Sequence, residues 1–167
     1  MSTTASLADG LLDDASMFPP GNASAEEAIR AHLHHRESWY ARLVGPLLVP
    51  FGRWSEFADA HERLGAPALD VVVIGSSDRP SPVPASVSLV GYELPASSDV
   101  DALTETTGGL ALEVPTLDRL DEVLGIVAEL RARGVAAVLK FRTGGTDVTA
   151  FPPAPDVARV IAAAVQY

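Results

Sequence analysis

The chain has 167 residues, 47% of them hydrophobic, which is enough for one domain with a sizeable core and excludes a disordered chain. A net charge of −10 argues against nucleic acid as a partner, because neutralising phosphates needs clustered Lys and Arg. The absence of cysteine removes disulfides, thiolate metal sites and cysteine nucleophiles, and fits a reducing cytoplasm.

Residues 1–22 mix small polar residues and end on Phe18-Pro19-Pro20-Gly21-Asn22, which disfavours regular structure, so a flexible lead-in is expected before a single domain over 23–167. Ser24 with Glu27 three residues on forms a capping box opening a helix from Ala25 to Val44. Ile29, Leu33, Arg36, Tyr40 and Leu43 then recur at helical spacing as its buried face. Gly45-Pro46 stops it, Leu47-Leu48-Val49 reads as a short strand, and a second helix is expected from Trp54 to Leu64, closed by Gly65. Trp39 and Trp54 are both read as packing residues.

Four further runs, Leu69–Ile74, Val87–Leu94, Leu110–Val114 and Val135–Arg142, are short and almost continuously apolar. That is the composition of parallel strands covered on both faces. Leu117–Arg133 is an amphipathic helix with Leu120, Val123, Leu124, Val127 and Leu130 on one side and Gly134 as its stop. A last helix is expected over Asp156–Val165. The proline-rich connection "GSSDRPSPVPAS" is not helical, and 96–107 has room for only a short helix. Strands alternating with helices predict an α/β fold: an incomplete TIM-barrel-like parallel sheet of about five strands, roughly half to two-thirds of a barrel, with an N-terminal helix.

Two strands close similarly, as "YELPA" and "LEVPT", which places Glu93 and Glu113 at the same offset. Side chains alternate along a strand, so Val138, Lys140 and Arg142 share a face, as do Gly91 with Glu93 and Ala111 with Glu113. Lys140 is the one lysine against 11 arginines. Because ligands of parallel sheets and barrels bind at the carboxyl ends of the strands, Glu93, Glu113, Lys140 and Arg142 are expected to converge there. A catalytic lysine has to be partly neutral, whereas the same charges could equally form an ion network that holds the strands in register. Thr143-Gly144-Gly145, with Arg142, offers amides and hydroxyls for a phosphate or carboxylate, although paired glycines also suit any tight turn.

His32 and His35 in "HLHH" share a helical face, but no carboxylate stands at a spacing that would complete a metal site. Nucleotide-binding glycine loops, a nucleophile elbow and a His-Glu-x-x-His motif do not occur, so no metal and no cofactor is implied. No stretch is long and apolar enough for a membrane span, and membrane partners are not expected.

The stretch "LKFRTGG" followed by "FPPAPDVARVIAAAV" resembles, over about 28 residues, the part of class I aldolases of the deoxyribose-phosphate aldolase type in which a Schiff-base lysine ends a barrel strand. The family's Lys-Thr-Ser-Thr-Gly motif is interrupted by Phe141 and Arg142, and its second lysine has no counterpart. Over about 120 residues the chain also resembles uncharacterised actinobacterial α/β-barrel-like proteins with the same "EVP" and "K-x-R-T-G-G" elements. These resemblances imply that the chain matches the first half or more of a longer barrel, with Lys140 as the nucleophile position. An incomplete barrel leaves an exposed sheet edge and apolar face, so a homodimer is expected.

Overall fold

In a computed structural model, residues 10–95, 99–104, 108–114, 117–141 and 153–165 are described. They form an α/β protein. Its six described strands are β1 (Leu12–Asp14), β2 (Val44–Pro50), β3 (Leu69–Ile74), β4 (Val87–Pro95), β5 (Gly109–Val114) and β6 (Ala137–Phe141). Neighbours in the sheet follow chain order, and the β1–β2, β2–β3, β4–β5 and β5–β6 pairs are parallel. This is the sequential order of a (β/α) barrel sheet, with fewer strands than the eight of a complete barrel. The helices are α1 (Ala25–Arg36), α2 (Trp54–Leu64), α3 (Val100–Leu103), α4 (Leu120–Ala132) and α5 (Ala154–Ala164).

The chain divides into two compact units, Met1–Ile74 with Pro80–Val90, and Gly75–Arg79 with Gly91–Tyr167. In the first unit, the Ser24 hydroxyl accepts from the Glu27 amide and the Glu27 carboxylate accepts from the Ser24 amide, so both ends of the predicted capping box are made. The buried face of α1 is Ala25, Ala28, Ile29 and His32. The helix stops at Arg36, eight residues before the predicted end, and a turn and a 3-10 segment (Ala41–Leu43) follow. Ser38 Oγ donates to the His34 carbonyl, and the Tyr40 hydroxyl lies 2.8 Å from His35 Nδ1, so side chains take up groups at the helix end. Arg36, Tyr40 and Leu43 are therefore not one buried helical face. Trp39 is 93% exposed, contrary to the packing reading, whereas Trp54 is 3% exposed and donates its indole N–H to the Pro82 carbonyl.

Leu12–Asp14 forms a strand inside the stretch expected to lack regular structure, paired with Val44 and Leu47 of β2. Arg53 secures the segment that follows. Its guanidinium donates to the carbonyls of Met17 and Ala23 and to both oxygens of Glu56, and Glu56 in turn accepts from the Ala25 amide. One arginine-carboxylate fork thus holds the lead-in, the start of α1 and the start of α2 together.

In the second unit, β5 does not have the two covered faces its composition suggested. Leu110, Leu112 and Val114 are buried, and the alternate positions Gly109, Ala111 and Glu113 are half-exposed. The helix α4 packs on β5 and β6, and the predicted stripe Leu120, Val123, Leu124, Val127 and Leu130 is buried. One face of β5 therefore meets core, and the other carries the small and charged residues. Gly134 takes φ +85 after α4, a conformation costly to residues with a Cβ, and the Val135 amide returns to the Leu130 carbonyl.

A candidate site on the β4–β6 face

The register shows which side chains share that half-open face. Glu93 is opposite Ala111, which is opposite Val138; one step on, Pro95 is opposite Glu113, which is opposite Lys140. Residues paired in a parallel ladder point to the same side, and so do residues two apart along a strand. Glu93, Glu113 and Lys140 consequently lie on one face near the carboxyl ends of three adjacent strands, as the alternation predicted.

One contact on this face runs diagonally. Although Glu113 is the register neighbour of Lys140, the Lys140 ammonium reaches across β5 to Glu93, with Nζ 2.5 Å from Oε2. Strands lie about 4.8 Å apart, so this reach crosses two strand spacings and passes over position 111. Ala111 leaves that path open; a branched or aromatic residue there would stand in it. Ala111 is the position on this face that the sequence pattern undervalued, and its signal was present as a small residue in an otherwise bulky apolar strand. Glu113 is half-exposed beside this pair and has interactions of its own.

The site is unevenly open to solvent. Glu93 is 8% exposed, the Lys140 side chain 36%, and Val138 on the same face 49%. A carboxylate so nearly removed from water needs hydrogen bonds or an opposite charge, and Lys140 supplies both. The main chain is fixed as well: the amide of Gly75, a residue at φ +95, donates to the Glu93 carbonyl at 3.0 Å. Gly91, two residues earlier on the same face, lies so close to β5 that a Cβ there would be 2.7 Å from the Gly109 carbonyl oxygen. Gly91 thus lets β4 and β5 approach closely beside Glu93, and Gly75 ties the Glu93 main chain.

Arg142, Thr143, Gly144 and Gly145, expected to bind an anion, lie outside the described residues.

The histidines of "HLHH" separate. His35 meets Tyr40, while His32 is fully buried with Nδ1 3.1 Å from Asp14 Oδ2. Among the described residues no group of three or more His, Asp or Glu is placed to hold a metal ion, and no helix is long and apolar enough to cross a membrane. Burial works to raise the Asp14 carboxyl, but contacts from His32 and Ser16, with the His32 charge, outweigh it and hold the group below its ordinary value. The sign of the linkage follows. A depressed folded value contributes stability that is present above the unfolded value of about 4 and is lost as the pH falls through the folded one. Asp14→Asn is expected to lower stability at pH 7, by an amount that shrinks as the pH is lowered below about 4. Urea unfolding of both proteins at pH 7 and pH 3 checks this; a constant difference would mean that the Asp14 charge is not what the variant removes.

No family model, curated protein or solved structure matches this chain.

Proposed function

We propose that the protein is a lyase-like enzyme, resembling class I aldolases, that acts on a small carbonyl or phosphorylated compound at the β4–β6 face. The observation that supports this best is the placement of the one lysine near the carboxyl end of a parallel strand, on a face that solvent reaches; the Glu93 carboxylate beside it favours the ammonium form and so weighs for the structural role instead. In this reading Glu93 takes a proton from the Lys140 ammonium, and the freed amine attacks the substrate carbonyl carbon. The oxygen takes one proton from the attacking nitrogen to give a carbinolamine and a second from Glu113 acting as acid, and it leaves as water as the carbon-nitrogen double bond forms. Arg142 and Thr143-Gly144-Gly145 are assigned the substrate's anionic group on their residue types alone. No resident cofactor is needed for these steps. The absence of cysteine supports a cytoplasmic location.

Borohydride reduction in the presence of small aldehydes and aldehyde phosphates tests the reading. With a single lysine, the expected result is one mass increment that maps to the peptide containing Lys140. Labelling confined to the N-terminal amine across all the carbonyl probes would remove Lys140 from the role of nucleophile.

The same ion pair favours a second reading, in which Glu93 and Lys140 lock β4, β5 and β6 in register in a non-catalytic protein that assembles with itself or a partner. Light scattering of the full chain at micromolar concentration is then expected to give twice the mass of one chain; a strict monomer would withdraw self-assembly from this reading.

A further inference from the structure

The ion pair on the β4–β6 face depends on a residue that carries no charge. Glu93 and Lys140 are two strands apart and offset by two positions, so by the spacings of a parallel sheet their main chains are about 12 Å from one another. The side chains that meet at 2.5 Å therefore cross β5 between positions 111 and 113. Leu112, between those positions, is buried on the opposite face. Ala111 and Glu113 are thus the two β5 side chains that border the crossing.

The two differ in how they give way. Glu113 has a long side chain that turns aside by rotating, whereas the branches of a β-branched residue are fixed next to the main chain and stand upright over the sheet. Ala111 is half-exposed, so the core does not require its small size. Close approach of β4 and β5 is already provided at Gly91. Val138, the register neighbour of Ala111 and 49% exposed, shows that a β-branched residue fits on this face.

We propose that Ala111 is a positioning residue for Lys140: by ending at Cβ it lets Glu93 hold the ammonium, and a β-branched side chain in its place parts the two and leaves the lysine a more reactive amine. An ammonium has no lone pair, so a carboxylate that favours the charged form slows attack by the nitrogen. Position 111 thereby sets whether Lys140 serves as a cation of the sheet or as a nucleophile. The placement of the pair needs no reaction; only the use of the freed amine rests on the lyase-like reading.

Trace acetylation of the full chain with acetic anhydride at pH 7 tests this, because the single lysine gives one labelled peptide and the N-terminal amine serves as internal standard. The ratio of Lys140 to N-terminal labelling is expected to rise severalfold in Ala111→Val, to rise by a like factor in Glu93→Gln, and to rise no further when the two are combined. It is expected to stay at the wild-type value in Ala111→Gly, which keeps the crossing open. If circular dichroism shows Ala111→Val to be unfolded, Ala111→Thr takes its place, with the same branching and a hydroxyl suited to a half-exposed position. An unchanged or lowered ratio in either single variant would overturn the proposal, as would effects that multiply in the double variant or a rise in Ala111→Gly; these last two would mean that position 111 acts by loosening the strand rather than through Glu93. Acetylation needs no aldehyde substrate, so the lyase-like reading can fail in the borohydride experiment while this result stands, and the reverse.

Discussion

Replacing Phe57 with alanine is expected to destabilise the protein by about 3–5 kcal/mol, the cost typical of emptying a fully buried aromatic site. Phe57 is on α2, the helix that packs against α1 and β2, and is completely buried. Its ring centroid is 5.2 Å from that of Trp54 and 5.9 Å from that of His61, spacings at which tilted rings add to simple area burial. Trp39→Ala is the matched control. Its indole is 93% exposed, so the change is expected to stay within about 0.5 kcal/mol despite the larger side chain. Urea unfolding of the two variants beside the wild type measures both. Equal midpoints for Phe57→Ala and wild type would contradict the packing of α2, and a large loss in Trp39→Ala would mean that this ring is covered in solution.

Lys140→Met is expected to cost about 2–3 kcal/mol. Breaking a fully buried ion pair from one side typically costs about 3–5 kcal/mol, because the other charge is left without compensation, and here the exposure of the lysine reduces that figure. Glu93, at 8% exposure, is the charge left behind. The double replacement Glu93→Leu with Lys140→Met is expected to recover most of the loss, since two apolar side chains leave no charge to solvate. A full double-mutant cycle, with Glu93→Leu alone, isolates the pair from the other interactions Lys140 makes. Additive single losses would show that the two groups do not depend on one another. Stability and chemistry separate in this design. Every variant lacking Lys140 should lose the borohydride adduct if the lyase-like reading holds, whether or not the double replacement restores stability.

Elements whose signals are local were legible in the sequence. Residues 69–74 and 54–64 are strand and helix as read, because a β-branched run marks the first and Gly65, at φ +55, ends the second. The stripe on α4 was legible for the same reason: a periodicity within 13 residues needs no partner to be seen. The end of α1 was not. Residues 37–44 hold no glycine or proline, and the helix stops where Ser38, Tyr40 and their histidine partners bond instead. The strand β1 could not be read either, because three residues carry no period and are a strand only by pairing with β2.

The same division holds at the site. Alternation alone, a property of any extended chain, put Glu93, Glu113 and Lys140 on a common face once the strands were recognised. That Lys140 also reaches Glu93 was decided in three dimensions. Register sets Glu113 beside it, and the small side chain of Ala111 leaves room for the ammonium to reach diagonally across β5 to the nearly buried Glu93. His32 makes the parallel case: the sequence showed a histidine on a helix, and only the packing of α1 over the end of β1 joined it to Asp14, 18 residues away. The sequence by itself determined the strand and helix periodicities and the residue types on each face, because those follow from bonds along one segment. Tertiary structure alone decided the pairs, because a charge removed from water takes the partner that geometry leaves within reach.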